Sequence, residues 1–399
     1  MKNPKKTAWI NDALHHTPLS VKTRAMKQFL LGKKDYLPKK KTHADLDAII
    51  KCALCPNMCR FDCPVSEAAK TETLTPSGRT RTAFLYETDA LSNTDTIDIL
   101  YTCCHCDACR QWCPFDYSVG DILQGVHQDI TTKNTPPRPV IELQQNLTKN
   151  HILNPRTIQP TPPKTGDIMY YMGCSVQADH PEIATAMNTL FTTLDHTYTY
   201  ENTEWCCGAP LYKLGYHTEF LEFARHHQQL LKERNCTKLI CSCPTCTHMF
   251  RVIYPQQGIN LPVDIMHTTE YLAANINTLK PHLTSLKGTY TYHDPCTLSR
   301  KLKVLSPPHT ILEAIPDIVI KKPYLRGKET QCCGYGSSLS HTHPDLANTI
   351  TKKRITELHR EADHIITACP TCKTAFEKNN CLVTDITELT YQSVKPINE

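Results

Sequence analysis

Between residues 238 and 246 the chain reads KLICSCPTC, and between 364 and 372 it reads HIITACPTC. Each opens on a short apolar run with no polar alternation, the pattern of a strand buried on both faces. Two further runs, DIMYYMGC and TYTYHDPC, predict strands that end at Cys174 and Cys296. Helical periodicity predicts helices over TEFLEFARHHQQLLKER and PDLANTITKKRITELHREA, the second with Pro344 near its start. Each helix leads into one of the buried strands, so helix and strand alternate as in a parallel α/β unit. Upstream, the apolar spacing of TRTAFLYETDALSN predicts one more helix.

The pattern occurs twice, and the cysteines keep time with it. Cys174 is followed after 31 residues by Cys206-Cys207, and after 35 more by Cys243 and Cys246. Cys296 is followed after 35 residues by Cys332-Cys333, and after 35 more by Cys369 and Cys372. SCPTCTHMF matches ACPTCKTAF, and VDIMHTTEYL matches VTDITELTY. A duplicated unit of about 120 residues, an ordinary domain size, explains the spacing. In parallel sheets ligands sit beyond the carboxyl ends of the strands, where the cysteines of each unit would converge.

Composition changes the picture mainly through its 22 cysteines in 399 residues. They fall in tight groups, which favours metal over disulfide. The N-terminus MKNPKKTAWINDALHHTPLS lacks an apolar signal run, and no stretch of 18 apolar residues occurs, so a cytoplasmic protein is expected. The net charge of +5 is uneven, because residues 1–41 hold eleven Lys or Arg against two acids. That arm mixes Met26, Phe29 and Leu30 with lysines, as would a helix docking on an acidic partner or on lipid headgroups; the simpler reading is a solvated basic arm. Nucleic acid is not an expected partner, since aromatic residues make up only 7% of the chain. A Pro-rich stretch divides two regions that use cysteine differently. The expected organisation is a basic arm over 1–44, a helical ferredoxin-like domain over 45–130, a linker over 131–166, and α/β units over 167–285 and 286–399.

The first region carries two four-cysteine motifs. Cys103-x2-Cys106-x2-Cys109-x3-Cys113-Pro114 has the bacterial ferredoxin spacing, in which the fourth cysteine reaches the other cluster. Cys52-x2-Cys55-x3-Cys59-x3-Cys63-Pro64 is one residue longer in its middle gap. With that crossover, Cys52, Cys55, Cys59 and Cys113 hold one 4Fe-4S cluster and Cys103, Cys106, Cys109 and Cys63 hold a second, leaving Cys104 spare. Four cysteines would also satisfy a zinc ion, the alternative reading.

Each repeat offers five cysteines, one more than either a cubane or zinc requires. The sets are Cys174, Cys206, Cys207, Cys243 and Cys246, and then Cys296, Cys332, Cys333, Cys369 and Cys372. Neighbouring residues of an extended chain point to opposite faces, so a Cys-Cys pair serves one object only where the backbone bends. Gly208 and Gly334 follow the pairs and would permit the bend. Five thiolates round one cofactor point to an iron-sulfur cluster of unusual shape, with buried structural cysteines or zinc as the alternative. Cys236, Cys241 and Cys381 fall outside both patterns and read as structural.

Paired ferredoxin motifs followed by two Cys-x(31 or 35)-Cys-Cys-Gly-x34-Cys-x2-Cys units resemble the Cys-Cys-Gly domain family. The resemblance runs from about residue 45 to 399, and is to heterodisulfide reductase catalytic subunits with the ferredoxin-like portion fused. The iron-sulfur subunits of anaerobic glycerol-3-phosphate dehydrogenase and of glycolate oxidase are similar. The resemblance implies two parallel-sheet, Rossmann-like Cys-Cys-Gly domains, each holding a noncubane 4Fe-4S cluster on its five cysteines. It implies a thiol heterodisulfide as substrate, cleaved between those clusters. It equally allows an electron-transfer subunit of a quinone-linked flavin dehydrogenase.

Disulfide cleavage consumes two electrons and two protons, and His293-Asp294, two residues before Cys296, offers a candidate proton relay. The competing reading of His293 is a histidine held by a strand-end hydrogen bond. No G-x-G-x-x-G follows a strand, so a partner is expected to supply electrons: a membrane cytochrome, a flavoprotein or a hydrogenase. Such a partner would bring the chain to the inner face of a membrane.

Overall fold

The apolar runs IMYY and KLIC become neighbouring parallel strands. In the computed structural model, which describes residues 12, 15–31, 38, 41–133, 135–153 and 166–395, β1 (Ile168–Tyr171), β2 (Tyr198–Thr199), β3 (Lys238–Cys241) and β4 (Asp264–His267) form one sheet in the order β2-β1-β3-β4. The second repeat builds β5 (Gly288–His293), β6 (Ile318–Lys321), β7 (His364–Thr367) and β8 (Val383–Asp385) in the equivalent order β6-β5-β7-β8. All six strand pairings are parallel. The central strands are buried on both faces: Tyr170, Ile240, Ile365 and Ile366 are fully inaccessible, which is why these stretches carry no polar alternation. The two periodic stretches form the helices His217–Arg234 and Pro344–Leu358.

Upstream lie α1 (Leu19–Leu31), α2 (Leu46–Ala53), α3 (Pro64–Ala69), α4 (Pro76–Glu87), α5 (Thr94–Leu100), α6 (Ala108–Gln111), α7 (Val119–Thr132) and α8 (Arg138–Asn150), with no strand among the described residues. Polar caps set several of their starts. Asp45, Thr75, Asn93 and Ser118 each accept a backbone N–H from the first turn of α2, α4, α5 and α7. Helix α8 occupies the centre of the Pro-rich 131–166 stretch and buries Val140, Leu143 and Leu147; residues 154–165 lie outside the described residues.

Of the basic arm, residues 1–11, 13–14, 32–37 and 39–40 lie outside the described residues. Leu19, Val21, Met26 and Leu30 of α1 are exposed.

Three apolar cores hold the parts together. One joins the N-terminal helices to the first repeat, one lies between the two sheets, and one joins Cys63, Val65, Cys104, Cys106 and Ala108 to the second repeat. Buried Lys301 of the second repeat adds an ion pair to buried Asp107 at 3.1 Å. Replacing Asp107 would leave that charge only the more distant Asp121 carboxylate at 3.8 Å. The four-cysteine region is thus wedged against both repeats.

Candidate functional site

In each repeat the cysteines sit at strand ends and helix starts. β1 gives way to Gly173 at φ +83°, and Cys174 begins the next helix. β3 and β7 run into Cys243 and Cys369, which stand at the N-caps of helices opened by Pro244 and Pro370. Proline is preset for that first helical position, so Cys-Pro-Thr-Cys places both thiols in one turn. The two Cys-Cys pairs end at Gly208, φ +73°, and Gly334, φ +94°. The pairs are pinned from outside: Tyr254 and Thr351 hydroxyls donate to the carbonyls of Cys207 and Cys333 at 3.2 and 2.7 Å. The carbonyl of His151, at the end of α8, accepts the Cys206 N–H at 2.7 Å. Buried Glu204 accepts from the backbone N–H groups of Met172 and Gly173 at 3.0 and 2.7 Å, which fixes the loop before Cys174.

Four groups of thiols result. Cys52, Cys55, Cys59 and Cys113 lie close enough to perturb one another, at a partly exposed edge. Cys63, Cys103, Cys106 and Cys109 surround a small cavity with Arg79 and Cys104. Cys174, Cys206, Cys207, Cys243 and Cys246 line a larger cavity of about 160 Å³. In the last group the sulfurs of Cys296 and Cys332 are 4.0 Å apart, those of Cys333 and Cys372 are 3.2 Å apart, and Cys369 touches Cys372.

The groups also touch each other. Cys332 lies close enough to Cys104 and Cys106 for the thiols to perturb one another, as Cys369 does to Cys243. Cys104, spare by spacing, therefore fills the contact between the four-cysteine region and the second repeat; its sulfur lies 3.9 Å from the Gly334 carbonyl. The 160 Å³ cavity is lined as well by Tyr335, Ser337, Ser338 and Thr374 of the second repeat, and Lys213 lies in its wall.

Cys236, Cys241 and Cys381 stay outside all four groups. Cys236 donates to the Gly166 carbonyl, Cys241 is buried at the end of β3 beside Thr247, and Cys381 lies 3.3 Å from His359 Nε2.

The donor sets suit iron-sulfur groups. Burial pushes Cys52 up to about 11 and Cys59 and Cys103 up to about 12. The raised thiols hold their protons until a cation displaces them, whereas contact with Cys332 brings the buried Cys106 thiol down to about 6. Arg79 supplies a buried positive charge to the second group: Nη2 donates to Cys63 Sγ at 3.2 Å and Nη1 to the Thr102 carbonyl at 3.0 Å, while Nε has no partner. Burial opposes its charge and the cysteines Cys63, Cys103 and Cys109 more than restore it. Arg300 is the equivalent cation between the second group and the last, its Nε bonded to the Cys106 carbonyl and its Nη2 unpartnered. Neither arginine was identified from sequence, where GRTRTAF and LSRK carry no mark of a buried cation.

His293 is wholly buried. Its Nδ1 accepts from Arg354 Nε at 3.1 Å, and a ring nitrogen lies within 4.8 Å of the Cys333 and Cys372 sulfurs. Burial holds the imidazole below its usual range. Asp294 accepts the Gly327 N–H at 2.9 Å, a structural contact.

Residues 168–251 and 290–377 each match the cysteine-rich domain family called CCG, and residues 48–117 match the 4Fe-4S dicluster domain. The chain thus carries two domains of the Cys-Cys-Gly family and one 4Fe-4S dicluster domain. Its two Cys-Cys-Gly domains correspond to the two sheets and their cysteine sets. Among curated proteins, the chain is similar to a dihydromethanophenazine:CoB–CoM heterodisulfide reductase subunit of Methanosarcina acetivorans, 34% identical over 52% of this chain and 52% of that protein. The corresponding protein of Methanosarcina barkeri is 31% identical over 57% of this chain and 59% of its own length. "Lactate utilization protein A" of Bacillus pumilus is 23% identical over 50% of this chain and 85% of that protein. The chain thus spans only about half the length of the heterodisulfide reductase subunits it matches. Among the described residues no helix is long and apolar enough to cross a membrane.

Proposed function

We propose that this chain is an iron-sulfur oxidoreductase of the heterodisulfide reductase type, reducing a thiol heterodisulfide or running the reverse reaction. The observation that carries the reading is the meeting of the two five-cysteine sets at Cys243 and Cys369, beside a cavity that both repeats wall. That cavity is lined by the five cysteines of the first set, so it is the room their cluster would take, and its second-repeat wall of Tyr335, Ser337, Ser338 and Thr374 is where a substrate would lie between the two sets.

In this reading Cys52, Cys55, Cys59 and Cys113 hold one ferredoxin-type 4Fe-4S cluster, and Cys63, Cys103, Cys106 and Cys109 the other. Cys174, Cys206, Cys207, Cys243 and Cys246, and Cys296, Cys332, Cys333, Cys369 and Cys372, each hold a noncubane 4Fe-4S cluster. When bound, these groups supply one-electron transfer and iron with an affinity for soft thiolates. The protein's part is to place the sets in contact from the partly exposed edge inward, to offset their negative charge with Arg79 and Arg300, and to enclose the cavity. The net reaction, R–S–S–R′ with two electrons and two protons to RSH and R′SH, breaks one S–S bond and forms two S–H bonds. The electrons come from a partner protein, with a membrane cytochrome, a flavoprotein or a hydrogenase as the proposed classes; docking on such a partner would place the chain at the inner face of a membrane.

The likeness to Lactate utilization protein A favours a second reading, an iron-sulfur electron-transfer subunit of a quinone-linked flavin dehydrogenase. Disulfide-dependent reoxidation of the dithionite-reduced protein, without any partner, separates the two. About sixteen irons per chain and a thiol-dependent paramagnetic signal in the oxidised protein are the expected results, as four clusters of four. About eight irons with only ferredoxin-type signals would overturn the disulfide reading.

A further inference from the structure

Both protons of a disulfide reduction must reach a cavity whose walls are rich in thiols. His180 stands at the one-residue joint between the helices Cys174–Asp179 and Pro181–Thr193 of the first repeat. It is 1% exposed, and its Nε2 lies 2.7 Å from Thr374 Oγ1 of the second repeat. Thr374 in turn lines the 160 Å³ cavity with Cys174, Cys206, Cys207, Cys243 and Cys246. On the other side of the ring, Nδ1 makes no hydrogen bond and faces two carboxylates, Glu182 Oε1 at 3.3 Å and Glu377 Oε2 at 3.6 Å. Those two side chains are 43% and 42% exposed, so they exchange protons with water. A surface acid, a buried imidazole and a hydroxyl thus stand in line across the joint between the repeats.

We propose that His180 relays protons from Glu182 and Glu377 through the Thr374 hydroxyl to the cavity between the two Cys-Cys-Gly domains. The inference rests on the disulfide reading for what the protons are used for, not for the path itself. For each S–S bond broken, two protons travel this route and end on the two product sulfurs, while two electrons arrive from an external one-electron donor. His180 acts through Thr374 and is a relay residue.

The charges around the ring are consistent with the role. Burial, followed by the Lys373 ammonium, holds the imidazole below its usual range, so the resting ring is neutral near pH 7 and has an acceptor nitrogen. Glu182, Glu377 and Asp179 act in the opposite direction. Lys373 is 4% exposed and paired with Glu182, Glu377 and Glu388, which keeps both donor carboxylates beside the ring. The Thr374 hydroxyl also donates to the Pro370 carbonyl at 3.1 Å, and rotation about its Cβ–Oγ1 bond swings the proton between that resting partner and the cavity while Oγ1 stays beside His180.

The test uses the full iron-loaded chain and H180Q and T374V variants. Proton uptake on deazaflavin photoreduction is followed with a pH-indicator dye in weak buffer, and turnover of 2-hydroxyethyl disulfide is followed across pH in water and in deuterium oxide. With iron content and paramagnetic spectra unchanged, both variants are expected to slow uptake and turnover by about tenfold or more, and added imidazole to restore H180Q. Wild-type uptake kinetics and an unaltered pH profile in H180Q would overturn the relay. Should H180Q not fold, T374V keeps the histidine and is decided by the same two readings. A wild type that takes up protons in a His180-dependent way yet leaves the disulfide intact would support the relay and sink the disulfide reading. A wild type that does neither would overturn both.

Discussion

Arg79 Nη2 donates to the sulfur of Cys63 at 3.2 Å, inside a ring of four thiols and 16 residues further along the chain. Hydrogen bonds and positive charge at a ligand sulfur stabilise the reduced, more negative state of an iron-sulfur group. In the proposed assignment, R79M is therefore expected to lower the reduction potential of the cluster that Cys63, Cys103, Cys106 and Cys109 would hold. It should also cost about 1.5–3 kcal/mol of stability through the lost charged hydrogen bonds. Potentiometric titration followed by paramagnetic resonance reads the first, and anaerobic thermal unfolding the second.

The two Cys-Cys-Gly bends differ in how tightly they are enclosed. A Cβ on Gly334 would meet the Ala347 carbonyl at 2.5 Å, whereas on Gly208 its nearest contact is the Phe220 ring at 3.0 Å. Both sit at positive φ, a cost of roughly 1–2 kcal/mol for any residue with a Cβ. G334A is expected to lose iron from the second repeat and to melt well below G208A, which keeps most of its iron. Equal iron content and melting temperature in the two variants would contradict the packing argument.

Cys104 touches Cys332 but stands outside the ferredoxin spacing. C104A is expected to retain the full iron content, and C106A to lose about four irons. Iron and acid-labile sulfide counts on anaerobically purified protein decide between them.

Glu87 is 4% exposed, and neither carboxylate oxygen has a hydrogen-bond partner among the described residues. Burial, and then Asp129, pushes its carboxyl up to about 8. The unfolded chain holds a glutamate near 4.3. A folded pKa above the unfolded one gives stability that is full below about pH 4 and is lost as pH rises through about 8. The wild type is expected to lose on the order of 2 kcal/mol between pH 6 and 9, and E87Q to lose far less, as measured by anaerobic denaturation at the two pH values.

The strands were legible because buried parallel strands leave uninterrupted apolar runs, and β1, β3, β5 and β7 all fall where those runs predict. The repeat was legible for a related reason: equivalent loops between strand and cysteine preserve spacing even where side chains diverge. Helix α8 was not, since PPRPVIEL opens on prolines that read as linker but serve as the start of a helix. The place of His180 is not legible either, because one histidine among 20 carries no mark of the threonine it meets 194 residues later.

Local chemistry, then, lay in the sequence itself: which cysteines group, which strand each follows, and where a glycine must turn the chain. Those depend on periodicity and spacing over a few tens of residues. The order in which the groups touch was decided by tertiary structure alone. The contact of Cys332 with Cys104 and Cys106, the meeting of Cys243 with Cys369, and the burial of Arg79 and Arg300 arise where separate cores pack together. Contacts and burial of that kind join residues far apart in the chain, and no local pattern records them.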